Sequence, residues 1–283
     1  MRVTQLTWLA FYFIATRAIA VVIVEESFGG QTLKDPSQWY STYEGPGDPT
    51  GWACLTAASG EQGPLHACKG GIGVDRPGDG SLRLTNHETF QNGFILNHRA
   101  LPSEKGLRID LGFSFYGSAT APNSADGVSI FLLDADKPLP PVPGRYGGGL
   151  GYIGIEGGYI GIGLDEFGNF SRDRVREPNS IAIRGSTNSG NRLLKVSRLS
   201  GDQRISVPET KNYREAERKI SIELSPTGHI GVYIDFKDGK GLILVAEAEN
   251  PGVPRAVRLG IAGSTGSYTS IHEVFDLKIE TLQ

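Results

Sequence analysis

The stretch GIGLDEFGNFSRD, residues 161–173, spaces Asp165, Asn169 and Asp173 at intervals of four, directly after a Gly-bearing, strand-like run. Carboxylate, amide and backbone carbonyl oxygens gathered in one turn are hard donors, the kind of which calcium takes roughly six to eight. Asp165, the carbonyl of Phe167, Asn169 and Asp173 make such a set once waters are added. The pattern is not an EF-hand, which needs an oxygen donor third, Gly sixth and Glu twelfth; here Phe167, Phe170 and Arg176 stand there. The residues alone leave three readings open. The turn can be a solvated loop whose Asp and Asn side chains serve nearby backbone. It can hold a metal ion. It can offer the carboxyl pair of a glycosidase, although Asp165 and Glu166 are adjacent and would point to opposite faces of an extended chain. Asn169-Phe170-Ser171 also matches the N-glycosylation sequon, and a glycan there is incompatible with Asn169 as an inward ligand.

The elements that must position this turn read as strand after strand. Alternating or β-branched runs bounded by turn residues occur at 81–86, 93–101, 107–117, 127–135, 158–164, 180–185, 219–225, 229–237, 241–249, 258–264 and 272–280. Leu107, Ile109, Leu111, Phe113 and Phe115 fall on one face, as do Ile220, Ile222 and Leu224. DFKDGKG is a hairpin signal. Only residues 209–219 carry a helical hint, with too thin an apolar stripe to bury. The Pro/Gly-rich segment 137–149 and the polar segment 186–212 read as long loops rather than linkers. The chain holds 39 glycines, about twice the usual share, which suits many tight turns. These features predict an all-β fold, one antiparallel β-sandwich of the jelly-roll kind over residues 21–283.

Residues 1–20 have Arg2, an apolar run from Leu6 to Ala15 and then Ala18-Ile19-Ala20, the layout of a secretory signal peptide. The apolar run is short for a membrane span, and the sequence offers no other, so membrane insertion is not expected. The predicted location is secreted, extracellular or at a cell surface. Cys54 and Cys68, the two cysteines of the chain, lie close together and read as one disulfide in an exported protein. The net charge of −3 and the absence of a basic block argue against a nucleic-acid partner.

Several motifs in order extend the reading. SADGVSIFLLD, then YGGGLGY, then GYIGIGLDEFGNFSRD resembles the core of the L-type, legume-like lectins. Trp52-Ala53-Cys54-Leu55-Thr56, Cys68 and SLRLT are most similar to the bacterial branch of that family. The resemblance runs from about Ser27 to Leu282 and implies a concanavalin A-like sandwich with a sugar site on loops at one end of the concave sheet. It implies that Asp126, preceded by a cis peptide from Ala125, accepts sugar hydroxyls, and that an amide in GGGLG donates one, from Gly148 or else Gly149. It implies that Asn169 both ligates calcium and binds sugar, with Asp165, the Phe167 carbonyl and Asp173 completing the ion's protein ligands. STGSYTSIHEV resembles the variable specificity loop and brings in Ser267 and Tyr268. Without the resemblance, Asp126 reads as a turn acid before Gly127, YGGGLG as a loop tip, and Tyr268 as a surface aromatic.

The sequence also departs from the family. Legume lectins hold a second, transition metal; the positions of its Glu and His are Gly163 and Ser180 here, so calcium alone is expected. SRDRVREP lacks the usual Asp-Pro turn at Asp173. The resulting expectation is a non-catalytic, calcium-dependent carbohydrate-binding protein. Its alternatives are an adhesive or structural domain with a vestigial sugar site and, further off, a glycoside hydrolase. The sugar and the oligomeric state, with an oligomer possible, are not legible.

Overall fold

The computed structural model describes residues 20–41, 53–68 and 74–282. The predicted signal peptide and Trp52 lie outside the described residues, apart from Ala20. Two sheets stack face to face. The back sheet runs Ile243–Glu249, His229–Asp235, Glu217–Leu224, Leu107–Tyr116, Ile271–Thr281 and Leu82–Thr85, then the short Cys54–Leu55, Leu65–Ala67 and Glu61–Gln62; Val22–Glu26 also pairs with Ile271–Thr281. The front sheet runs Leu193–Arg198, Ser180–Arg184, Gly158–Asp165, Gly127–Asp134, Ala256–Ser264, Asn92–Asn97 and Trp39–Tyr40, with Leu101–Pro102 beside Ala256–Ser264. All long neighbours are antiparallel. This is the concanavalin A-like sandwich.

Two apolar layers hold it. Between the sheets, Leu107, Ile109, Leu111, Phe113 and Phe115 of the back sheet share one core with Val128, Ile130, Leu132, Ile162 and Leu164 of the front sheet. The predicted alternation places these side chains there. A second core covers the other face of the front sheet and contains Phe94, Phe131, Tyr152 and Phe170. Their rings follow one another at 6.2, 5.7 and 6.4 Å between centroids. The strand glycines make room for them. A methyl group on Gly161 would come within 2.3 Å of the Tyr152 ring, one on Gly163 within 2.3 Å of the Phe170 ring, and one on Gly260 within 2.1 Å of the Phe131 ring. The strand Gly127–Asp134 is therefore buried on both faces, which is why GVSIFLLD reads as an almost unbroken apolar run.

The segment expected as a polar loop at 186–212 contains the edge strand Leu193–Arg198, half-buried and carrying Lys195 and Arg198. Polar edge strands of this kind escape a pattern search because one side pairs and the other meets water. The helical hint becomes the single turn Tyr213–Ala216, capped by the Asn212 side chain. Cys54 and Cys68 are joined as the disulfide expected, closing a sequence separation of 14 residues. Among the described residues, no helix is long and apolar enough to cross a membrane.

Candidate functional site

Three loops meet where three central front-sheet strands end. Gly127 pairs with Asp165 on one side and with Ser264 on the other, so Asp126, the turn after Asp165 and the loop after Ser264 emerge together. Backbone bonds fasten them. The Asp126 amide donates to the Ser264 carbonyl at 2.8 Å, and the Asp126 carbonyl accepts from the amides of Glu166 at 3.0 Å and Phe167 at 3.3 Å. The Ala125–Asp126 peptide is cis, as the resemblance implies. A fourth loop closes in from 143–151, where the Gly147 amide donates to the Ser264 hydroxyl at 2.5 Å.

Asp126 is 4 % exposed, and its Oδ2 has no hydrogen-bond partner. Burial, and then the negative charges of Asp165 and Glu166, push its carboxyl up to about 7. Two glycines wall it in: a methyl group on Gly266 would sit 2.9 Å from Oδ2 and one on Gly147 would sit 3.7 Å away. Gly148 and Gly149, both candidates for the donor amide, differ here. The Gly149 amide donates to the Tyr146 carbonyl at 3.2 Å, whereas the Gly148 amide has no partner. Gly148 lies against Asn169, where a methyl group would come within 2.4 Å of the Asn169 Cβ. The Asn169 side chain itself makes no hydrogen bond and is half-buried.

In the turn, Asp165 is fully buried and its two oxygens accept the amides of Gly168 and Ser171, each at 2.6 Å. Burial pushes its carboxyl up to about 6, against the pull of the Ser171 and Gly168 bonds. The Phe167 carbonyl accepts nothing. Asp173 is exposed and further along the turn, apart from any described bond. Ser267 is exposed and Tyr268 is 36 % exposed; the Tyr268 ring lies 5.4 Å from that of Phe167.

Glu166, read from the sequence only as a carboxyl beside Asp165, and residues without a sequence signal complete the site. Glu166 turns away from Asp165 into the space between the sheets, where its Oε2 meets His272 Nε2 at 2.5 Å and its Oε1 accepts from Ser270 at 3.2 Å. His272 Nδ1 meets the Thr85 hydroxyl at 2.6 Å, and the His272 ring packs edge-on against Phe115. Both side chains of the Glu166–His272 pair are fully buried. Glu166 is thus a structural anchor between front loop and back sheet. Arg184 clamps the turn from below, donating to the carbonyls of Phe170, Asn191 and Arg172 at 2.7, 2.9 and 3.0 Å. Ser264, which ties the 143–151 loop to the Asp126 strand end, and Gly266 had no signal beyond being the Ser and Gly of STG.

The donors fit a calcium ion. Two buried carboxyls held above their ordinary range, an orphaned carboxylate oxygen, a free carbonyl at Phe167 and a free amide at Asn169 surround one turn. Among the described residues no three of His, Cys, Asp or Glu gather as a metal site, so a cation here would need the Phe167 carbonyl and Asn169 amide oxygens, which are hard donors, beside any carboxylate. The residues do not fit a transition metal. The Phe170 ring fills the space over Gly163, and the Ser180 hydroxyl is engaged by Ser171 at 2.6 Å and by the Glu177 carbonyl at 2.5 Å.

A model of the legume-like lectin family matches residues 58–283. No curated protein sequence matches the chain significantly. Among solved structures, the exoplasmic/lumenal domain of VIP36 in its Ca2+/mannose-bound form shares 18 % identity over 72 % of this chain and 78 % of its own, with a TM-score of 0.55. Lectin I-B4 from Griffonia simplicifolia, in a metal-free form, shares 17 % over 71 % and 88 %, with a TM-score of 0.54. Winged bean acidic lectin complexed with methyl-α-D-galactose shares 17 % over 72 % and 87 %, with a TM-score of 0.52.

Proposed function

The chain belongs to the legume-like lectin family, and from that membership we propose that it is an exported, calcium-dependent carbohydrate-binding protein whose sugar site is centred on Asp126. Membership makes it a binding protein rather than a catalyst. One observation carries the placement of the site: the Asp126 carboxylate, the Gly148 amide and the Asn169 side chain, all free of partners, border the same junction of loops. Adjacent hydroxyls of a sugar ring each donate and accept, so a carboxylate oxygen that takes protons from two of them and N–H groups that give to their oxygens form a matched set. Burial of Asp126 strengthens those bonds, because a carboxylate left without them is costly there.

In this reading Asp165, the Phe167 carbonyl, Asn169 and Asp173 hold calcium, which supplies positive charge beside the buried carboxyls. Asn169 then reaches the sugar already ordered, and little freedom is left for it to lose on binding. Gly148 must remain a glycine so that its backbone can lie against Asn169. Ser267 and Tyr268 border the site from the loop after Ser264 and contribute to the choice of sugar. Export through the leader at 1–20, with 21–283 as one working domain, agrees with the Cys54–Cys68 bond, which belongs to an oxidising compartment. The order of motifs favours the bacterial branch of the family. Glycan-array binding with and without chelator tests the proposal: binding that chelator removes and calcium restores supports it, and binding to no glycan at either condition overturns it.

A further inference from the structure

The turn that follows Asn169 carries Arg172, Arg174 and Arg176, and Arg145 stands across the site just before Gly147. All of them are exposed, and none forms an ion pair or a side-chain hydrogen bond. Elsewhere three sheet arginines are paired with carboxylates, Arg83 with Glu273, Arg108 with Glu223 and Arg198 with Glu177, and Arg184, Arg218 and Arg258 are spent on backbone carbonyls. Arg176 is also held in place. Its guanidinium carbon lies 4.0 Å from the centroid of the Phe167 ring, which in turn packs on Tyr268. A charge fixed on an aromatic face at the rim is a different object from one on a freely moving side chain.

Of the acids bordering these loops, Asp173 is the exposed one among the described residues. Asp173 is on the same turn, Glu177 is taken by Arg198, Glu166 is buried on His272, and Glu88 is half-buried on the 86–91 loop beside Gln91. The whole chain carries a net −3, so a concentration of unmatched arginines at one loop cluster runs against its background. Exposed aromatics gather at the same place. Among the described residues they are Phe90, Tyr146 and Tyr268. Phe90 donates its amide to the Gly266 carbonyl at 3.1 Å, Tyr146 precedes Gly147, and Tyr268 follows Ser267, so all three border the Asp126 junction. Flat rings spread around one junction of loops suit a chain of sugars rather than a single ring.

We infer that the ligand is an anionic oligosaccharide, whose carboxylate or sulfate groups meet Arg176 and its neighbouring arginines while one sugar unit sits at Asp126. The inference rests on the carbohydrate reading above and adds the charge and length of its ligand. The planar guanidinium fork matches carboxylate and sulfate oxygens in pairs, and the cations of the 172–176 turn and of the 143–151 loop are all Arg, with no Lys. The interaction is solvent-exposed, so salt must weaken it.

The test uses the full chain with calcium on an array of matched oligosaccharides: each backbone neutral, with uronate units, and with sulfate esters, from one to six units long. The expected result is about a tenfold preference for the charged member over its neutral counterpart, growing with length and shrinking at high salt. Arg176→Gln should bring that preference close to parity, Arg176→Lys should keep only its salt-sensitive part, and Arg255→Gln, an exposed arginine at the far end of the Ala256–Ser264 strand, should leave it unchanged. Uronate-only or sulfate-only preference identifies which group supplies the charge. Neutral members that bind as tightly as charged ones, or a preference that survives Arg176→Gln, overturn this inference alone. Binding to no member of either kind overturns it together with the carbohydrate reading.

Discussion

Without calcium, the stability of this protein should fall as pH rises. Asp126 is buried with an unpartnered oxygen, and burial plus the charges of Asp165 and Glu166 push its carboxyl from 3.8 up to about 7. Asp165 is pushed from 3.8 up to about 6, chiefly by burial. Between the unfolded and folded values the folded chain holds protons that the unfolded chain has released. The stability they contribute is therefore fully present below the unfolded value and is lost as pH rises through the folded one. For Asp126 alone the loss between about pH 5 and about pH 8 is roughly 2–3 kcal/mol. In a chain of this size that is about 5–10 °C in Tm. Asp165 acts in the same direction, but its charge is part of the cause at Asp126, so the two do not add.

A divalent cation among these carboxylates offsets the repulsion. Calcium in about hundredfold excess over its Kd should add roughly 2.7 kcal/mol, and more of it near pH 8 than near pH 5 because protons no longer compete. Thermal melts at the two pH values, in chelator and in millimolar calcium, measure this. Asp126→Asn, which removes the buried charge, should flatten the slope in chelator. Melts in chelator that do not depend on pH, or a calcium effect no larger at the higher pH, would refute the reasoning.

Gly163→Ala drives a methyl group to within 2.3 Å of the Phe170 ring and should destabilise the fold by about 1–3 kcal/mol in denaturant titrations, and Gly163→Glu should bring no transition-metal binding by calorimetry. His272→Ala leaves the buried Glu166 without its hydrogen-bond partner and should cost about 1–3 kcal/mol or more, read the same way. Gly266→Ala places a methyl group 2.9 Å from Asp126 Oδ2; it should weaken glycan binding about tenfold while the calcium response of the melting temperature persists.

The long strands were legible because each repeats an apolar side chain every second residue, as in Leu107 to Phe115, and such repeats survive without knowing the partner strand. The family motifs carried the candidate site further than spacing did, since Asp126, Gly148 and Asn169 are far apart along the chain and only the register of Gly127 with Asp165 and Ser264 brings their loops together. Spacing alone left the turn's chemistry open. The structure adds why its strand is rich in glycine: Gly161 and Gly163 lie beneath Tyr152 and Phe170, so the second-metal position is filled by an aromatic ring. The Glu166–His272 pair had no local signal, because it spans 106 positions and joins a front loop to a back-sheet strand. Leu193–Arg198 escaped notice because a half-exposed edge strand with Lys195 and Arg198 has the composition of a loop.

The central claim is that the free carboxylate of Asp126 is the acceptor at the heart of a sugar site. Calorimetric titration of Asp126→Asn with the tightest-binding glycan of the array tests it most directly, since the change exchanges one oxygen for nitrogen in the same shape. The account predicts affinity about 10- to 100-fold weaker in a protein that still folds and still responds to calcium. Affinity within about twofold of the native protein would contradict it.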